Sequence, residues 1–92
     1  MKNPNIIKIR RRLDKLDDKL LILIKKRTHL VNKILKNKRF KKDIIDRKRI
    51  KIILRNISAK SKVKNIDPKI TNKIWKSMIQ SFIDYEYRNF KK

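Results

Sequence analysis

Four polar residues stand where helical periodicity calls for apolar ones, and their types suit the capture of an anion. Ile9, Leu13, Leu16, Leu20, Leu23, Leu30 and Ile34 recur in steps of three, four and seven, the spacing of one helical face. Four residues beyond Leu23 the same stripe carries Arg27, and four beyond Ile34 it carries Lys38. Arg49 follows Ile45 by four, and Glu86 closes the stripe of Trp75, Ile79 and Phe82. An arginine on an apolar seam without an anionic partner is costly. Asp17 and Asp18 lie two turns or more upstream of Arg27, and no acid follows before Asp43. Either Arg27 snorkels to water, or it pairs with an acid of another helix, or its anion is a ligand. Three cations and one acid among apolar helix faces favour a small anionic ligand, and arginine favours a carboxylate or phosphate gripped through two parallel hydrogen bonds.

Three helices must position these residues. The first starts with Asn3 as cap and Pro4 in the first turn, and its stripe runs to about Lys38 without another Pro or a Gly. The second begins near Asp43 or Asp46, carries Ile45, Ile52, Ile53 and Ile57, and fades around Ser61. The third begins at "NIDPK", with Asp67 as cap, Pro68 in the first turn, and Asn65 as the left-handed residue that ends the preceding turn. Its stripe holds Ile70, Ile74, Trp75, Met78, Ile79, Phe82 and Ile83. Nothing alternates with period two, so no strands are expected and the fold class is all-α.

Length sets the assembly. About 35 helical residues extend roughly 50 Å, whereas a compact globule of this size is only about 30 Å across. Two shorter helices cannot cover that stripe along its whole length. An intertwined homodimer of single-domain chains, residues 1–92, is the economical arrangement.

Composition narrows the function classes. Thirty Lys plus Arg against eight acids give a formal net charge of +22. Such charge fits nucleic-acid binding by a basic helical module. A coding bias accounts for it better, since Lys, Ile and Asn, all with AT-rich codons, number 21, 17 and 8, so nucleic acid is not the expected partner. There is no cysteine, so disulfides and thiolate metal sites are excluded. The longest strongly apolar run, "LLILI", is far below the roughly 18 residues of a membrane span, and no signal peptide is legible. A soluble, cytoplasmic protein is expected. His29 is the sole histidine and makes neither a triad nor a metal site. The absence of glycine removes any Gly-rich phosphate cradle.

The pieces in order resemble the all-helical chorismate mutases of the bacterial type, over essentially the full length. That family reads as an arginine, Ile/Leu-Asp-x-Ile/Leu-Asp, a Leu-Leu pair, a second arginine, and a lysine eleven residues on. Here these are Arg10, "LDKLD", Leu20-Leu21, Arg27 and Lys38. "IIDRKRIKIIL", residues 44 to 54, is similar to the family's I-x-D-x-x-R-E-x-x-V-L. "NIDP" is similar to its G-L-D-P, and "WKSMIQSFIDYE" to its third-helix signature.

The resemblance implies an intertwined dimer with two sites, no cofactor and no metal. Arg10 would reach the partner's site and bind one substrate carboxylate, while Arg27 would bind the other from within the subunit. Lys38 and Glu86 would flank the ether oxygen of chorismate, and Asp46 and Arg49 would order the loop side of the pocket. Three positions depart from the family. Ile50 stands where a glutamate binds the substrate hydroxyl, Phe82 replaces a serine, and Glu86 replaces a glutamine. Ile50 and Phe82 also resemble the related isochorismate pyruvate lyases. Glu86 does not, since those lyases usually keep glutamine there and some fungal mutases carry glutamate.

Overall fold

The structure, a computed structural model, describes residues 3–91. Its helices are α1 (Pro4–Asn37), α2 (Arg47–Val63) and α3 (Pro68–Asn89), with a short 3-10 turn at Lys41–Asp43. Among the described residues there is no strand, so the all-α expectation holds. The chain divides into two units, one ending at Val31 and the other starting at Asn32.

In the first unit, α1 starts as its first residues dictate. Asn3 Oδ1 accepts from the Asn5 N–H at 2.9 Å, and the Asn3 carbonyl accepts from the Ile7 N–H at 3.1 Å. A side-chain oxygen thus satisfies a donor that has no partner inside the helix, and Pro4 removes another. A helix has no core of its own, and the consequence is plain along the stripe. Ile9, Leu13, Leu16, Leu20, Leu23 and Leu30 are each between 51 and 58% exposed.

The second unit builds its core from Leu35 on the last turns of α1, Ile44 in the following loop, and Ile83 on α3. Ile50, Ile79 and Phe90 pack against them. α2 begins at Arg47 because Asp46 is its cap: Asp46 Oδ1 accepts from the Arg49 N–H at 3.0 Å. Asp43, the other candidate, serves the 3-10 turn, where its Oδ2 accepts from the Phe40 N–H at 3.1 Å.

α2 runs two residues past Ser61 because the polar side chains near its end are satisfied inside the fold. Ser61 Oγ donates to the Ile57 carbonyl at 2.6 Å and lies 2.7 Å from Thr71 Oγ1. With the serine proton committed to Ile57, Thr71 is the donor between the two hydroxyls. Both residues are buried, so this chain of bonds ties α2 to α3 without leaving a polar atom stranded.

The helix then stops by backbone geometry. The Ile66 N–H donates to the Ser61 carbonyl at 2.8 Å and the Asn65 N–H to the Lys62 carbonyl at 3.2 Å. That pair of bonds is a Schellman motif, which needs a left-handed residue. Asn65 supplies it with φ 56°, since the chain has no glycine and asparagine tolerates this region best among the rest.

Asn65→Gly is therefore expected to retain or slightly raise stability, and Asn65→Ala to lower it by about 1 kcal/mol. Urea denaturation of the three proteins checks the order. Equal midpoints for Ala and Gly would remove the backbone argument.

Candidate functional site

Glu86 is the only glutamate of the chain, and it is 6% exposed. It stands three residues after Ile83 and seven after Ile79, so the core-facing side of α3 carries it inward. Lys38 meets it there. α1 ends at Asn37, and the Lys38 N–H closes the end by donating to the Leu35 carbonyl at 3.1 Å. With Leu35 anchored in the core, the Lys38 side chain enters beside it. Its Nζ donates to Glu86 Oε1 at 3.0 Å and to the Ile44 carbonyl at 3.2 Å.

The pair is mostly out of water, with side chains 18% (Lys38) and 8% (Glu86) exposed. Removing two charges from water costs several kcal/mol per ion, which attraction offsets only when geometry and further hydrogen bonds are good. The Ile44 carbonyl is that further bond. An ammonium has three donors, and two of them are placed here. Chemically, this is a fixed cation with a carboxyl group beside it. It suits an oxygen on which negative charge develops.

A second polar contact lies close by. Tyr85 Oη donates to Asn32 Oδ1 at 2.8 Å, joining α3 to the last turns of α1. Sequence reasoning missed both partners. The available signal was that Asn32 lies three residues before Leu35 and therefore on the same face of α1.

The other expected site residues are placed as follows. Ile50 is half-buried and packs on the Leu35–Ile44–Ile83 core. Phe82 is half-buried. Asp46 and Arg49 are exposed, and it is the backbone of Arg49 that Asp46 holds. They do not join the Lys38–Glu86 pair within the chain. An open depression of about 410 Å³ lies beside Asp46, lined also by Lys42, Asp43, Ile45, Arg47 and Lys48, and it includes neither Lys38 nor Glu86. In the first unit Arg10 is exposed and Arg27 half-buried. The Arg27 Nε is a buried donor without an acceptor, while the residue as a whole does interact.

Among the described residues no three His, Cys, Asp or Glu side chains gather to hold a metal. No described helix is long and apolar enough to cross a membrane.

A sequence model of the family described as chorismate mutase type II matches residues 9–87. The match starts one residue before Arg10 and ends one after Glu86, so it spans every expected site residue. No curated protein and no solved structure matches the chain significantly.

Glu86→Ala would strand the Lys38 ammonium and is expected to destabilise the fold, at the low end of about 3–5 kcal/mol because Lys38 keeps some access to water. Lys38→Met combined with Glu86→Leu should lose less than the two single changes added together. Chemical denaturation of the set measures this, and strict additivity would show that the pair does not act as a unit.

Proposed function

The chain belongs to the type II chorismate mutase family, and from that premise we propose that it is a chorismate mutase, converting chorismate to prephenate. What carries the proposal is the Lys38 ammonium, held 3.0 Å from Glu86 in a largely buried setting. In the reaction the ether C–O bond breaks as a C–C bond forms within one molecule, so no nucleophile, metal or cofactor takes part. Rate comes from holding the substrate in its compact diaxial shape and from stabilising charge on the ether oxygen. Arg10 and Arg27 grip the two carboxylates. Lys38 donates to the ether oxygen, and Glu86 assists from its other side when protonated. Asp46 and Arg49 order the loop side of the site, while Ile50 and Phe82 shape its wall.

All 92 residues act in this proposal as one catalytic domain within a homodimer, and Arg10 is donated across the subunits. The half-exposed Leu and Ile stripe on α1 supports it, because a second copy of the same stripe is its natural cover. The enzyme would work in the cytoplasm, toward phenylalanine and tyrosine synthesis.

Ile50 and Phe82 support a second reading on the same fold, elimination of pyruvate from isochorismate. A side-by-side assay separates the two: prephenate from chorismate for the mutase, pyruvate release from isochorismate for the lyase. Turnover of neither substrate would end both. For the mutase, Arg27→Ala should lower kcat/KM by about 10²–10³-fold while the protein still sediments as a dimer. Mixing inactive Arg10→Ala and Arg27→Ala chains should restore part of the activity, since one mixed site keeps both arginines. No recovery after demonstrated subunit exchange would place each site within one chain.

A carboxylate only accepts hydrogen bonds, so Glu86 assists the ether oxygen only as the acid. Glu86→Gln, with a permanent N–H donor of the same reach, should keep or gain activity. A dead Gln variant would remove Glu86 from the ether oxygen.

A further inference from the structure

The turns of α1 that belong to the second unit are short, and one apolar side chain holds them in the core. Leu35 contributes to the cluster with Ile44 and Ile83. Such a contact is non-directional and sets neither slide nor rotation. Two directional contacts flank it. Three residues before Leu35, Asn32 accepts from Tyr85 Oη at 2.8 Å. Three residues after it, Lys38 donates to Glu86 Oε1 at 3.0 Å. On α3 their partners are consecutive residues, so the two bonds bracket Leu35 and together fix the register of this segment on α3.

The two bonds differ in what a substrate does to them. Resting on the reading above, Lys38 and Glu86 both turn toward the ether oxygen during the reaction, so their mutual bond is shared with the ligand. The Tyr85–Asn32 bond has no such competitor. We infer that Tyr85 and Asn32 are positioning residues: their hydrogen bond holds the α1 terminus in register on α3 and so places the Lys38 ammonium at the reacting oxygen. Neither residue touches the substrate. Both are half-buried, where a lost hydrogen bond is not simply replaced by one to water.

The test is a cycle of Tyr85→Phe, Asn32→Leu and the double variant. Each single change should lower kcat about tenfold, since small misplacements of a reacting group are costly, with KM within about twofold of wild type if register rather than binding is lost. The double variant should be no slower than the worse single one, because either change already breaks the bond. In a Lys38→Gln background, Tyr85→Phe should have no further effect on kcat. A purely structural role predicts otherwise. Losses would then follow the fall in Tm, add in the double variant and persist without Lys38, and any of these results overturns the inference.

A second readout does not depend on turnover. Tyr85→Phe should speed amide hydrogen exchange at Lys38, Asp43 and Ile44, whose N–H groups close the α1 end and the following turn, and leave Ile50 in α2 unchanged. If wild type consumes neither chorismate nor isochorismate, the functional reading fails and exchange alone decides the register claim. Unchanged exchange at those amides would sink it.

Discussion

An ammonium taken out of water must keep its acceptors, and the second unit is arranged around that requirement. Lys38 reaches Glu86 and the Ile44 carbonyl at once, which ties together the end of α1, the loop before α2 and the last turns of α3. Ile44 is 3% exposed, the lowest value in the apolar cluster, because its carbonyl and its side chain are both engaged. Packing by Leu35 and Ile83 shields the pair, and the pair directs how that packing is seated. Replacing the ions by apolar groups would be tolerable for folding, but it would leave nothing there that a developing charge could use.

Apolar residues stay partly uncovered in both units. In the second, α2 and α3 are joined by a hydroxyl chain, a backbone stop and a cap, yet Ile52, Ile70 and Ile74 of their stripes are 45–55% exposed. In the first, residues of the same type at the same spacing remain about half in water. A periodic stripe therefore states what a helix needs covered. It does not state who covers it.

Much of the fold was legible because the signals are local. Asn3-Pro4 and Asp67-Pro68 each combine a side-chain acceptor with a residue lacking an N–H, and both helices start there. Asn65 was legible for the same reason, since the end of α2 required a left-handed residue and no glycine was at hand. The choice between Asp43 and Asp46 was not, because both can cap and only the loop's own hydrogen bonds decide. Lys38 and Glu86 were each legible as polar residues extending an apolar stripe, although their contact spans 48 positions. Asn32 with Tyr85, 53 positions apart, and Ser61 with Thr71 were missed. Their meeting depends on how helices cross, and no periodicity along one helix encodes that.

The left-handed Asn65 in a chain without glycine has a further consequence, and it concerns the unfolded protein. Glycine is the residue whose backbone loses most freedom on folding. A chain of average composition and this length would carry about six. Replacing each by a residue with a β-carbon, where the folded backbone allows it, removes roughly 0.4–1 kcal/mol of unfolded-state entropy. A denatured chain already stiffened throughout has less disorder to surrender, which offsets part of what its small set of buried apolar side chains fails to provide. Confining the one positive φ among the described residues to an asparagine keeps that advantage at a tight turn, the place where most chains would give it up.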